Sequence, residues 1–168
     1  NMSRNNANGP ENRKEEPQYC FDELYFTPFT ECRKFDDEGN AYYAPIEKNT
    51  RPTGICVLDD FMNFLNDGNS NVAVFCRRKG ISIAAFSGLC EVLTGMKAIP
   101  FKMKWTARTL LDLLRYTNLS LSEAGERSGV GAWSNMHKVC KEASGYTPRE
   151  YRWFERNDFD VGKYRLGD

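Results

Sequence analysis

One apolar pattern occurs twice in this sequence at an offset of 50 residues, and each copy ends in a glycine. The matching positions are Phe86, Leu89, Cys90 and Gly95 in the first copy, and Met136, Val139, Cys140 and Gly145 in the second. Apolar side chains three and four residues apart fall on one face of an α-helix, so each copy predicts a helix with one buried face. A shorter helical pattern and a glycine break precede each of these helices. The sequence therefore predicts two copies of a helix-turn-helix unit.

Local signals predict where the other helices begin. Asp59 or Asp60 would cap a short helix that precedes the first unit. A long linking helix is predicted from about residue 99 to residue 116, with Pro100 in its first turn. Its inward face is predicted to hold Met103, Ala107, Leu110, Leu111 and Leu114. Capping boxes open two later helices, one formed by Ser120 with Glu123 and one by Thr147 with Glu150.

The composition is typical of a soluble globular chain without a metal centre. The 168 residues carry 23 basic and 23 acidic side chains, and no apolar run approaches the roughly 20 residues of a membrane span. The six cysteines form no C-x-x-C pair, and His137 is the only histidine. We therefore expect reduced thiols, a cytoplasmic location, no membrane association, and neither a metal nor a cofactor.

Composition also divides the chain into four segments. Residues 1–16 are polar and rich in Asn, Gly and charge, which predicts a disordered tail. Residues 17–57 form an aromatic-rich extension with a possible β-hairpin around Gly39, and its rings are expected to pack against the helical part. Residues 58–156 hold the two helix-turn-helix units, and residues 157–168 are predicted to be a C-terminal tail. The predicted fold class is thus mainly α, with a small N-terminal extension.

Positive charge is concentrated in the helical part. Residues 71–156 contain 14 basic and 7 acidic side chains, whereas residues 1–57 contain 7 basic and 10 acidic ones. A local positive excess within a neutral chain suits a phosphate-binding surface, although a solvated lysine-rich face has the same composition. The run Arg77-Arg78-Lys79 is at most a backbone contact, since a short charge run carries no sequence information.

Three segments of the second unit resemble a known family. They are Leu119-Ser-Leu-Ser-Glu-Ala-Gly-Glu-Arg-Ser-Gly129, Asn135-Met-His-Lys-Val-Cys-Lys141 and Gly145-Tyr-Thr-Pro-Arg-Glu-Tyr-Arg152. Together they are similar to the second half of an AraC/XylS-type DNA-binding domain, and residues 73–80, 82–95 and the linking helix fit the first half. The resemblance implies two helix-turn-helix units that bind double-stranded DNA in a bacterial transcriptional regulator, most often an activator. RNA polymerase or another regulator would be a further partner.

The sequence departs from the family pattern at several core positions. Ala124-Gly125 stands where Ile-Ala is usual, and Val130, Met136 and Cys140 stand where Phe is usual. These smaller side chains predict altered packing, with a cost of about 1 to 3 kcal/mol each where nothing compensates. Thr106 also replaces an arginine that is common in the linking helix.

The resemblance implies a set of DNA-contacting positions in each unit. They fall on Ala84, Ala85, Ser87 and Gly88 in the first unit and on Trp133, Ser134, His137 and Lys138 in the second. The first set offers no long donor, so it cannot bind guanine in a bidentate way. Ser134, His137, Lys138 and Lys141 form one polar helix face, where we expect most of the sequence discrimination.

Each of the second-unit positions has a functional and a structural interpretation. Lys138 is the best candidate for a guanine edge or a nearby phosphate, and His137 for a phosphate or a base acceptor. Trp133 would contact the groove wall. In the structural interpretation Trp133 covers the edge of the core, while His137, Lys138 and Lys141 form an ordinary solvated face.

The sequence also bears on two function classes besides DNA recognition. Catalysis is not predicted, because the sequence has no glycine-rich phosphate loop, no G-x-S-x-G and no H-E-x-x-H motif. A Cys-His dyad would have to pair His137 with Cys140, but Cys140 lies on the apolar side of the predicted helix. The rival hypothesis is a protein-interaction module that kept the fold and lost independent DNA recognition, since the helix face from Ala84 to Gly88 has no long side-chain donor.

Overall fold

A computed structural model describes residues 16–167. The elements in chain order are α1 (Phe21–Leu24), β1 (Phe29–Phe35), β2 (Ala41–Pro45), α2 (Cys56–Asn66), α3 (Val72–Lys79), α4 (Ile83–Thr94), α5 (Ala98–Tyr116), α6 (Leu121–Ser128), α7 (Trp133–Ser144), α8 (Pro148–Glu155) and β3 (Tyr164–Leu166). The fold is therefore mainly helical with one small antiparallel sheet, as the sequence predicts. The predicted tail of residues 1–16 lies outside the described residues except for its last position.

The helices form two units that share α5. The pairs α3–α4 and α6–α7 are the two helix-turn-helix corners, and α4 and α7 both have 12 residues at an offset of 50. At the same offset α2 corresponds to the C-terminal half of α5, and α8 corresponds to its N-terminal half. Thus α5 closes the first unit with its N-terminal half and opens the second unit with its C-terminal half.

The ends of α4 and α7 repeat the same hydrogen bonds. The Thr94 hydroxyl donates to the Cys90 carbonyl at 2.7 Å and accepts from the Met96 amide at 3.2 Å. The Ser144 hydroxyl, 50 residues later, donates to the Cys140 carbonyl at 2.7 Å and accepts from the Tyr146 amide at 3.2 Å. The duplication therefore extends from apolar spacing to individual capping contacts.

The described part of the chain has two hydrophobic clusters, and α5 contributes to both. The first cluster packs α2, α3 and α4 against the N-terminal half of α5, with Phe61, Phe86 and Trp105 at its centre. The second packs α6, α7 and the C-terminal half of α5, and Leu110 and Met136 are fully buried in it. A continuous rigid helix through both clusters fixes the distance and the rotation between the two units.

The N-terminal extension packs on both clusters. The α1 residues Phe21 and Leu24 are buried against the first cluster, and Phe29 of β1 is buried in the second. The predicted hairpin is present as β1 and β2, which pair from Glu31 opposite Pro45 to Phe35 opposite Ala41. Burial of these rings agrees with the expectation that the aromatic residues pack against the helical part.

Some predictions from the sequence differ from the structure. Residues 164–166 do not form a tail but a strand, β3, which pairs with the other edge of β1 and stacks Tyr164 on Phe29 at 5.1 Å. This long-range pairing has no local signal in the sequence. Met103, which was predicted to face inward, is 44% exposed.

The start of α2 also differs from the prediction. The helix begins at Cys56, with Ile55 at its N-cap, so neither Asp59 nor Asp60 caps it. The carboxylate of Asp59 is buried and instead accepts hydrogen bonds from the Thr53 amide at 3.1 Å and the Gly54 amide at 2.9 Å. It therefore orders the loop that leads into the helix.

The two units also touch outside α5. Gly129, at the end of α6, adopts a φ of +86°, and a methyl group there would lie 3.2 Å from the Gly68 carbonyl oxygen and 3.3 Å from Thr106 Cγ2. Thr106 is the residue that replaces the usual arginine, and its short side chain allows the turn of the second unit to approach the α2–α3 loop. Between residues 16 and 167 no single helix has the length and apolarity of a membrane span, and α4 with α5 reaches them only as a pair bent by 65°.

Candidate nucleic-acid interface

The turn between α6 and α7 is fixed on the backbone of α6. The Gly131 amide donates to the Gly125 carbonyl at 2.8 Å, and the Ser128 hydroxyl donates to the same carbonyl at 2.9 Å. Asn135 of α7 donates from its side-chain amide to the Val130 carbonyl at 2.9 Å. These bonds set the direction in which α7 leaves the turn.

The small residues in α6 are matched by a large one in α7. A methyl group on Gly125 would lie 2.7 Å from the Gly131 carbonyl oxygen and 3.0 Å from Met136 Sδ. The flexible thioether of Met136 therefore occupies the space that the Ala124-Gly125 pair leaves open, and Met136 and Cys140 are fully buried. This contact compensates for the Ala124-Gly125 pair, which is one of the departures from the AraC/XylS-type pattern.

The outer face of α7 is polar and exposed. Ser134, Lys138 and Lys141 lie at i, i+4 and i+7, which places them on one side of the helix, and all three are exposed. Within residues 16–167 neither lysine forms a salt bridge. Two ammonium groups on this face are therefore available for phosphate or base acceptors.

Trp133 and His137 form a pair at the start of this face. Their ring centroids are 4.3 Å apart, and the Trp133 side chain is 54% exposed. His137 Nε2 is enclosed and has no hydrogen-bond partner among the described residues. The indole thus packs against the imidazole, and His137 Nε2 is not free to meet a ligand in this arrangement.

The outer face of α4 is small and apolar. Ala84, Ala85 and Gly88 are exposed and Ser87 is half-buried, while Ile83 is 44% exposed and begins the same helix. A methyl group at Gly88 would meet no atom within 4 Å, so this face is open. It offers methyl groups and one hydroxyl to a ligand, in contrast to the lysines of α7.

The basic run at the end of α3 is only partly available. Lys79 is held by Asp60 at 2.6 Å, and the Arg78 guanidinium lies 5.9 Å from the centre of the Phe64 ring. The Lys79 partner also holds the pKa of the Asp60 carboxyl below its usual range. Arg77 is exposed and has no salt bridge in the described part of the chain.

Two arginines in and just after α8 hold the second unit together, a role that the sequence alone does not predict. Arg152 donates to the Leu114 carbonyl at 2.9 Å and to the Leu119 carbonyl at 2.7 Å. Arg156 donates to the Arg115 carbonyl at 3.0 Å and also to the Thr117 carbonyl. They satisfy carbonyl groups at and just beyond the end of α5, which have no partner within that helix. The one sequence feature that points to Arg152 is the Tyr-Arg ending of the family-like segment Gly145–Arg152.

Solved structures with the same fold are regulator domains. The C-terminal domain of AraT, a response regulator from Geobacillus stearothermophilus, matches 68% of this chain and 96% of its own length at 17% identity, with a TM-score of 0.56. The C-terminal domain of the two-component response regulator yesN from Fusobacterium nucleatum subsp. nucleatum matches 58% of this chain and 94% of its own length at 18% identity, with a TM-score of 0.52.

A third structure is a larger protein. The xylose-binding transcription activator xylR matches 67% of this chain at 21% identity with a TM-score of 0.50, and this chain spans 29% of it. No protein-family model and no curated protein matches the sequence. The three structures confirm the AraC-type fold of the chain.

Proposed function

We propose that the chain is a sequence-specific transcriptional regulator that binds double-stranded DNA through both helix-turn-helix units. The observation that carries the proposal is the pairing of two matched corners through one shared helix, with the outer faces of α4 and α7 both exposed. In the proposed complex these two second helices enter successive major grooves on one side of a duplex. The fold shared with regulator domains supports the same function.

The two helices would divide the work. Lys138 would bind a guanine edge or a phosphate, and Ser134 and Lys141 would contact the same stretch of groove. Trp133 would lie against the groove wall, and His137, which packs against its ring, would lie beside it. Ala84 and Ala85 of α4 offer only methyl groups, whose natural partner in a major groove is the C5 methyl of thymine.

Electrostatics would supply most of the nonspecific affinity. The basic excess of residues 71–156 attracts the phosphate backbone, so log affinity should fall linearly with log salt concentration.

We also infer that the chain is a bacterial, cytoplasmic activator that contacts RNA polymerase or another regulator.

Selection of bound fragments from a random duplex library tests the proposal directly. The expected result is an enriched site with two half-sites about 34 Å apart along the duplex. Retention of no fragment, or affinity that does not change with salt, would refute it.

One observation favours a second candidate function, a protein-interaction module. Ile83 and Val92 are 44% and 74% exposed on opposite sides of α4, so exposed apolar side chains flank the face from Ala84 to Gly88. In that case the chain alone would retain no duplex, and Ala85→Glu, which places a like charge against phosphates, would have no DNA affinity to lower. If α4 enters a groove, the same substitution would lower the affinity.

A further inference from the structure

A cavity of about 670 Å³ lies between the small sheet and α5, away from the outer faces of α4 and α7. Its walls include Phe29, Cys32 and Lys34 of β1 and Arg108, Asp112 and Tyr116 of α5. The three α5 residues are four apart, so they form one stripe of the helix. The volume falls within the range of sites that hold small organic molecules.

One wall of the cavity consists of aromatic rings that hold one another in place. Phe29 and Tyr164 are stacked with an interplanar angle of 19°, and Tyr116 meets Tyr164 edge to face with ring centres 4.9 Å apart. Phe29 is buried, so the wall is anchored in the second hydrophobic cluster. The Lys163 ammonium lies 5.4 Å from the centre of the Tyr164 ring and 5.9 Å from that of the Tyr116 ring, so a flat ring entering the cavity would meet an aromatic surface that already carries a cation.

A carboxyl group with an unused oxygen also lines the cavity. The Tyr25 hydroxyl donates to Asp112 Oδ2 at 3.1 Å, whereas Oδ1 has no hydrogen-bond partner among residues 16–167. Burial raises the pKa of the Asp112 carboxyl, with Tyr25 and the neighbouring arginines acting in the opposite direction. A half-buried carboxyl of this kind is stabilised by a further hydrogen-bond donor.

Two cations line the same cavity. Lys34 is exposed and forms no salt bridge within the described residues. The Arg108 guanidinium lies 5.0 Å from the centre of the Tyr25 ring, and its only salt bridge to another residue between 16 and 167 is an exposed contact of 3.4 Å with Asp22. Exposed ion pairs are weak, so both cations can bind an incoming anion. Glu47, also at the cavity, would disfavour an anion on its own side.

We propose that this cavity binds a small planar aromatic acid that carries an N–H or O–H donor at the end opposite its acidic group. The ring would lie against Tyr116 and Tyr164, the donor would bind Asp112 Oδ1, and the acidic group would bind Lys34 and Arg108. The site is independent of DNA recognition, although it contacts the helix that both units share.

Protection of Cys32 from alkylation tests this proposal with 4-aminobenzoate as the probe. Cys32 lines the cavity, whereas Cys20 and Cys56 are exposed and do not line it. Iodoacetamide labelling of the full chain, read by peptide mass spectrometry, should be slowed severalfold at Cys32 by the probe and unchanged at the other two cysteines. No protection at millimolar probe, or equal protection of all three cysteines, would overturn the proposal.

Two substitutions separate the polar contacts. Lys34→Gln should raise the probe concentration needed for protection about tenfold, as loss of a charge-assisted hydrogen bond does, while Lys97→Gln outside the cavity should leave it unchanged. Benzoate lacks the donor and should protect less well than 4-aminobenzoate, and Asp112→Asn should remove that difference. The proposal would also be overturned if the probe protected Cys32 in Lys34→Gln and in Asp112→Asn as it does in the native chain.

Discussion

The carbonyl oxygen of Gly125 accepts the amide of Gly131 at 2.8 Å, so α6 and the turn that follows it are in direct backbone contact. A side chain on Gly125 would point into this contact, 2.7 Å from the Gly131 carbonyl oxygen. The second corner therefore depends on the absence of a side chain at one helical position.

Gly125→Ala should destabilise the fold by about 1 to 3 kcal/mol, because the added methyl forces the turn away from α6. Chemical denaturation measures the change. Gly88→Ala is the matched control, since a methyl there meets no atom within 4 Å and alanine is the better helix former, so this variant should gain about 0.5 to 1 kcal/mol. Equal effects of the two substitutions would contradict the packing described for Gly125.

Lys138→Ala should weaken binding to the selected duplex by about 1 to 3 kcal/mol, as expected for loss of a base or phosphate contact. Titration of labelled DNA at fixed salt measures the effect. A loss confined to the selected site assigns the lysine to a base edge, and an equal loss on random duplexes assigns it to a phosphate. Lys34→Ala, which removes the same charge from β1, should have a smaller effect, and unchanged binding by Lys138→Ala would remove α7 from the proposed interface.

Arg152→Met should cost about 1 to 3 kcal/mol of stability, since the carbonyls of Leu114 and Leu119 lose their donor in a half-buried position. Arg149→Met on the same helix is the control, because Arg149 is exposed and its replacement should change stability by less than about 0.5 kcal/mol. Thermal denaturation of both variants would detect the difference. If the two variants melted at the same temperature, the hydrogen bonds of Arg152 at the end of α5 would not contribute to stability.

Asp160→Asn should destabilise the chain at neutral pH by about 2 kcal/mol, because Asp160 is buried and accepts from Arg115 Nε at 2.9 Å and from the Asn157 amide at 2.8 Å. Burial alone would raise the pKa of this carboxyl, but the Asn157 amide and Arg115 together hold it below its usual value.

The sign of the pH dependence follows from that lowered pKa. The stability from Asp160 is present above the unfolded pKa, near pH 4, and is lost as the pH falls through the lower folded pKa. The difference between the native chain and Asp160→Asn should therefore shrink below about pH 4. Asp158→Asn in the same loop is exposed and provides the control, and a difference that stayed constant with pH would show that the ion pair is not the cause.

Local signals in the sequence predicted much of the helical part. The capping boxes of Ser120 and Thr147 form as predicted, because each depends only on residues within one turn of the helix. The start of α2 was predicted wrongly because the carboxylate of Asp59 binds the preceding loop rather than its own helix. The strand β3 and the Arg152 contacts join residues that are far apart in the sequence, so no local pattern could reveal them.

The candidate interface was predicted as a set of positions rather than as a surface. Helical spacing was sufficient to place Ser134 and Lys138 on one outer face. It could not show that Trp133 lies on His137, because that contact depends on two side-chain rotamers. Nor could it show that Gly125 makes room for Met136, which is a property of the pair rather than of either residue.

Because α5 belongs to both units, the number of residues in it determines how one unit is rotated relative to the other. Insertion of a single residue near its middle would turn one unit by about 100° against the other and advance it by about 1.5 Å, and it would break the contact between Gly129 and the loop at Gly68. In the proposed complex with DNA, the length of this one helix would thus set which base pairs the two units can contact together.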